Sequence, residues 1–313
     1  MNRIDALSAP LFVSWQLTRD CDLACLHCCT ESAPNKPLPN ELTEAEALRL
    51  AAQIIAAGVP YVMLCGGEPL RVPHFLAVAE VLGRAGVQLK IETNGQLLDA
   101  SVADRLSRLP IRSIQISLDG DTQDVYARQR PGASLARAHD ACRAVRAAGM
   151  PLEITFVPTR LNIRQMEAVI ARARALGAFR FNTGRLMRVG RAARLWDRIA
   201  LDPAACQRFR TILDRSVANC APMELCYEPF TAGDGLRQSI DSPPATLLVL
   251  PDGQVKLSGV LPFICADVRQ VELTNAWRRY CAAWHEREIL AAAQLAASDE
   301  AEHARANQWI LVH

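Results

Sequence analysis

Four cysteines fall within nine residues: Cys21, Cys25, Cys28 and Cys29. Thiolates are soft ligands suited to iron and zinc. The spacing Cys21-x-x-x-Cys25-x-x-Cys28 brings three of them into one short loop. Three such thiolates can hold three irons of a 4Fe–4S cubane and leave the fourth iron without a protein ligand. An open metal position is where a substrate or cofactor coordinates. Two alternatives stand at the level of the cysteines alone. A zinc site would need a fourth ligand, such as Cys29 or His27, and Cys29 could replace Cys28 in the set. The other seven cysteines, Cys65, Cys142, Cys206, Cys220, Cys226, Cys265 and Cys281, form no close CxxC pair. An odd total of 11 in 313 residues is not the disulfide framework of a small secreted chain.

The loop must be held by the elements around it. Residues 11–17 read as a strand that runs straight into the cysteines. Further strands are expected over 61–65, 88–92, 113–118, 152–157 and 179–183. Helices are expected over 43–58, 74–86, 99–106, 135–149 and 163–177, and from Asp202-Pro203 to about residue 219. Thr43 and Glu46 have the spacing of a capping box, and Gly58 can stop that helix. Strands alternating with helices argue for βα units and a parallel sheet. Six units are too few for an eight-stranded barrel. A partial barrel and an open doubly wound sheet both fit, and either gathers chemistry at the carboxyl ends of its strands. After residue 230 the character changes. Residues 231–244 are polar, 247–257 suggest a hairpin turned at Pro251-Asp252-Gly253, and 274–307 are Ala-rich and charged, as in a helix. The expected division is therefore 1–230 and a small C-terminal domain, 231–313.

Each expected strand end carries a short motif. Gly66-Gly67-Glu68-Pro69 follows the second strand, Glu92-Thr93-Asn94-Gly95 the third, and Ser117-Leu118-Asp119-Gly120 the fourth. With the cysteine triplet at the first strand, this ordered set resembles the radical S-adenosylmethionine superfamily over residues 11 to about 192. The resemblance implies an α/β fold, a partial (β/α)6 barrel with a small C-terminal twitch-like domain. It implies that Cys21, Cys25 and Cys28 hold the cluster. Gly66, Gly67 and Glu68 would hold the amino group of S-adenosylmethionine, Thr93 and Asn94 would lie in its site, and Ser117 would meet it. Arg128, or as second choice Arg130, would pair with its carboxylate. His27 would pack beside the cofactor rather than ligate iron, and Cys226 is a candidate hydrogen donor to a substrate radical.

Within the superfamily the likeness is to the SPASM/twitch branch, which includes peptide and cofactor maturases and enzymes that alter haem side chains. The chain departs from that branch at Ser258, where a cysteine is usual five residues after the turn glycine, and at Ser239 and Ser242. One cluster is therefore expected. The implied substrate is a peptide or small molecule; a peptide would need a separate carrier or direct recognition by the barrel. An electron donor such as flavodoxin or ferredoxin is implied too.

Composition narrows the classes further. Lys plus Arg total 35 and Asp plus Glu 33, a net +2 that gives no electrostatic footprint for nucleic acid or an anionic membrane. No apolar run reaches the ~18 residues of a membrane span. Residues 1–10 do not read as a secretory signal, so a cytoplasmic location is expected.

Overall fold

Thr43 starts the first long helix, Glu44–Ala56. Its hydroxyl accepts from the Glu46 backbone N–H, and the Glu46 carboxylate accepts from the Thr43 N–H at 2.9 Å, the reciprocal pair of a capping box. Ala47, Leu50, Ala51 and Ile54 recur at helical spacing and are all buried. The same logic, repeated along the chain, produces the architecture seen in the computed structural model, which describes residues 3–312.

Eleven strands form one sheet among the described residues. They are β1 (Phe12–Gln16), β2 (Tyr61–Cys65), β3 (Gln88–Thr93), β4 (Ile111–Ser117), β5 (Leu152–Phe156), β6 (Arg180–Thr183), β7 (Glu224–Cys226), β8 (Thr246–Val249), β9 (Gln254–Lys256), β10 (Phe263–Asp267) and β11 (Ile310–Leu311). From β1 to β7 each strand pairs in parallel with the next. This is the expected run of βα units, with helices in the crossovers. On the other edge of β1 the order continues through β8, β9, β10 and β11. The fold is therefore α/β with a large, mostly parallel sheet, consistent with a partial barrel.

The period of two divides the strands chemically. Val13, Trp15, Val62, Leu64, Leu89, Ile91, Ile114, Ile116, Ile154 and Phe181 are buried in one continuous core. The alternate positions carry polar groups. Lys90 Nζ donates to Gln115 Oε1 and Glu153 Oε2, both at 2.9 Å. Asn182 Nδ2 donates to the same two oxygens, and Gln115 Nε2 donates to Glu92 at 2.9 Å. The sheet thus has a dry face and a polar, hydrogen-bonded face, and the cavity described below lies on the polar one.

Three expectations change in detail. The residues after 230 do not simply pack on the sheet. Strand β8 pairs in parallel with β1, Phe12 opposite Thr246, and so extends the sheet. The polar stretch after Phe230 contains a helix, Ala232–Asp241, capped by Thr231 and Asp234. Its composition hid it: two glycines and few apolar residues leave little helical pattern. The Ala-rich segment is three pieces, Leu273–Ala283, Arg287–Ser298 and the 3-10 turn Glu302–Arg305. No helix among the described residues is long and apolar enough to cross a membrane.

Candidate functional site

Strand β1 delivers the chain to the cysteine loop, and the turn after β2 clamps it. The Gly67 N–H donates to the Thr18 carbonyl at 2.6 Å and the Glu68 N–H to the Asp20 carbonyl at 2.9 Å. This approach requires glycine. Gly66 has φ +146°, and a Cβ there would sit 2.5 Å from the Thr18 carbonyl oxygen. A Cβ on Gly67 would overlap the Asp20 carbonyl. From the other side, Arg191 donates to the Ser32 carbonyl at 2.7 Å and also to the Cys25 carbonyl. The Leu26 N–H reaches Gln129 O at 3.0 Å.

Held this way, Cys21, Cys25 and Cys28 line one cavity of about 570 Å³. Gly66, Gly67, Thr93, Asn94, Ser117 and Arg130 share its wall, with Glu92, Gln115 and Asn182 from the polar face. Each of the three sulfurs is supplied with donors. The Leu23 N–H lies 3.4 Å from Cys21 Sγ and Asn94 Nδ2 3.7 Å from it. Arg130 Nη1 lies 3.5 Å from Cys25 Sγ, and the Ser32 N–H 3.2 Å from Cys28 Sγ. N–H donors aimed at sulfur are what a charged thiolate needs, and they tune a cluster. Burial pushes the Cys25 thiol up to about 11, against the pull of Arg130, and raises Cys21 further. These two thiols are therefore neutral when free, and metal binding must release their protons. Among the described residues no three His, Cys, Asp or Glu side chains converge on one point, as a single zinc ion would require. A cubane takes each thiolate on a different iron and needs no common point.

Arg130 is the principal charge in the wall. It is buried, and its Nε donates to Asp119 Oδ2 at 2.6 Å. Asp119 is fully buried and also accepts from the Val157 N–H at 2.7 Å. His27 completes the group. Gln129 Oε1 accepts from Thr159, so Gln129 Nε2 donates to His27 Nδ1 at 2.9 Å. The ring Nε2 lies 3.4 Å from Asp119 Oδ2 and 3.3 Å from Arg130 Nη2. Burial, opposed by Asp119, pulls the His27 imidazole down to about 4, so it is neutral at physiological pH.

Three residues singled out in the sequence lie elsewhere. Arg128 is exposed on the helix Gln123–Gln129 and outside the cavity wall. The buried guanidinium is that of Arg130. Pro131 gives the reason: the residue before a proline is driven out of the helical region, and Arg130 leaves the helix at ψ 76°. That Arg-Pro step was the readable signal for which arginine turns inward. Cys226 is exposed on the edge strand β7 and outside the wall. Glu68 is fully buried but not in the wall. Its carboxylate accepts from Thr93 Oγ1 and the Asn94 N–H, each at 2.8 Å, and from the Leu70 N–H at 3.2 Å. It ties the turn after β2 to the turn after β3. Nearby, Arg194 pairs with Glu31, and Trp196 packs under Arg188.

Burial outweighs those three donors and raises the Glu68 carboxyl to about 7. The folded state then holds a proton that the unfolded chain, with an ordinary carboxyl, has lost. Stability falls as pH rises from about 4.5 to about 7 and is level above that window. In Glu68→Gln this component of the pH dependence is expected to vanish. The amide nitrogen cannot accept, so at least one of the three donors is left unsatisfied, at about 1–3 kcal/mol. Urea unfolding of both proteins from pH 4.5 to 8 checks it; parallel curves would contradict it.

Comparison with known proteins agrees with this geometry. The chain is 35% identical over 203 residues to the mycofactocin maturase MftC of Mycobacterium ulcerans (strain Agy99), covering 64% of this chain and 54% of that protein. It is 30% identical over 187 residues to the AdoMet-dependent heme synthase of Methanosarcina barkeri (strain Fusaro / DSM 804), covering 59% and 53%. It thus spans about half the length of these curated relatives. The crystal structure of Streptococcus suis SuiB bound to S-adenosylmethionine has the same fold, with TM-score 0.71 at 17% identity, over 93% of this chain and 69% of that one. The sequence profile of the Radical SAM superfamily matches residues 15–173, from inside β1 to the helix after β5, the span that builds the cysteine loop and four of the strand-end turns. That match covers half of the chain, and the chain belongs to the radical S-adenosylmethionine superfamily.

Proposed function

We propose that this enzyme holds one 4Fe–4S cluster on Cys21, Cys25 and Cys28, binds S-adenosylmethionine beside it, and abstracts a hydrogen atom in the maturation of a peptide or cofactor precursor. The observation that carries this reading is the meeting of three donor-supplied thiols and the strand-end turns in one cavity. A cluster held there would supply the electron for cleaving a C–S bond of S-adenosylmethionine, and with it the means of taking a hydrogen atom from the substrate.

The chain's own residues do the positioning. Gly66 and Gly67 leave the end of β2 open to a close ligand. Thr93, Asn94 and Ser117 offer polar groups around the wall. Arg130 holds a fixed positive charge there, in the role the sequence offered first to Arg128, and Asp119 fixes its direction. Glu68 acts through the backbone it ties together. Cys226 has no part in this reading, because it lies outside the wall.

We take residues 1–230 as the barrel unit and 231–313 as the twitch-like unit, supported by the change from parallel β1–β7 to the mixed extension β8–β11. Ser258, at a position where the branch usually has a cysteine, supports a single cluster. A maturation role is supported by the name of the maturase relative; a peptide substrate would come on a separate carrier or be recognised directly by the barrel, and flavodoxin or ferredoxin would supply the electron. Tetrapyrrole side-chain chemistry is the second reading, favoured by the heme synthase likeness. Anaerobic, reduced, cluster-loaded protein given S-adenosylmethionine is expected to release 5′-deoxyadenosine and methionine. No release under those conditions would overturn the proposal.

A further inference from the structure

The chain has three lysines, and their surroundings differ. Lys36 is exposed. Lys90 is part of the polar face, paired with Glu153 at 2.9 Å. Lys256, at the end of β9, is only 3% exposed, yet its ammonium has a single polar contact, the Gly259 carbonyl at 3.3 Å. No carboxylate among the described residues pairs with it. A buried cation without a counter-ion is costly unless something else supplies the negative charge.

Lys256 lines a side cavity of about 220 Å³, which shares Gln16, Cys29 and Thr30 with the main cavity. Arg19 is in the same wall, and its Nε is buried with no hydrogen-bond partner. The carboxylate in that wall, Glu31, is already taken by Arg194 and by Asn307 Nδ2 at 3.3 Å. Cys29 is in the same wall as Lys256. Burial also pulls the Lys256 ammonium down to about 8, so it still carries its charge at neutral pH. Leu248, Leu250 and Pro251 add an apolar stretch to the wall.

Two under-partnered cations that line one partly apolar recess fit one class of ligand. We propose that Lys256 and Arg19 form a subsite for a carboxylate on an apolar stem, which anchors the substrate while the rest of it reaches the main cavity. This deepens the function proposed above and rests on it for the word substrate; the anion site itself does not depend on it. A peptide C-terminus and a propionate side chain share this chemistry.

The test uses cluster-loaded protein labelled with [ε-¹³C]lysine, which gives one signal per lysine, and Lys256→Met identifies the relevant one. N-acetylleucine and 3-phenylpropionate serve as probes, with N-acetylleucinamide as the neutral control at equal ionic strength. A saturable shift of the Lys256 signal with either acid, absent with the amide, is expected. Arg19→Gln should weaken that binding about tenfold, the loss of roughly one charge-assisted hydrogen bond. Tighter binding of one acid names the source. A Lys256 signal that moves no more than that of Lys36, or equally with the amide, would overturn the subsite. If that shift is seen but S-adenosylmethionine is not cleaved, the enzymatic reading fails and the anion site stands; cleavage without the shift is the reverse.

Discussion

Cys25→Ala is expected to lower bound iron from about four atoms per chain to less than one and to abolish cleavage of S-adenosylmethionine. Two thiolates cannot keep a cubane that three hold, and the spare thiol within the same loop is Cys29. Cys21→Ala and Cys28→Ala should behave alike. Cys29→Ala should keep its iron, because the Ser32 N–H supports the Cys28 sulfur and the backbone of the loop is built around that register. Iron and sulfide assays on the four variants check this. Iron retained in Cys28→Ala and lost in Cys29→Ala would show that Cys21, Cys25 and Cys29 form the ligand set instead. The metal-free fold should survive each change, since the loop is fastened by Arg191, Gly67 and Gln129 through backbone groups rather than through sulfur.

Arg130→Met is expected to destabilise the protein by about 3–5 kcal/mol, because it leaves the fully buried Asp119 carboxylate without its cation. It also removes the donor at Cys25 Sγ, so metal affinity should fall, by roughly 10–100-fold for the loss of such a supporting group. The double variant Asp119→Asn with Arg130→Met should recover part of the stability, since the unpaired charge is gone. Arg128→Ala, by contrast, changes an exposed side chain on the same helix and should stay within about 0.5 kcal/mol of the parent. Urea unfolding of these variants, with iron content alongside, gives the comparison. Equal effects at the two arginines would contradict the assignment of the buried role to Arg130.

These contrasts show what the sequence carried. Regular apolar spacing and good caps, as in the helix begun by Thr43, made the βα rhythm readable. The cysteine triplet and the strand-end turns were readable because glycines and polar residues break an apolar run at each strand end. The partner geometry was harder to see. Choosing between Arg128 and Arg130 turns on a backbone rotation imposed by Pro131. Glu68 looks like a ligand in sequence, but its three donors come from turns up to 26 residues away. Lys256 is one lysine in an ordinary hairpin until the sheet buries it beside Arg19, some 237 positions distant in the chain. The helix Ala232–Asp241 carries too few apolar residues to announce itself. It was found by its capping box only once the backbone was in view.

The most direct test of the account is the metal content of anaerobically prepared protein, together with the electron paramagnetic resonance spectrum of its reduced form with and without S-adenosylmethionine. The account predicts about four irons per chain and a spectrum that changes when S-adenosylmethionine is added, as an open iron beside the cavity requires. Zinc in place of iron, or a cluster spectrum indifferent to S-adenosylmethionine, would contradict it.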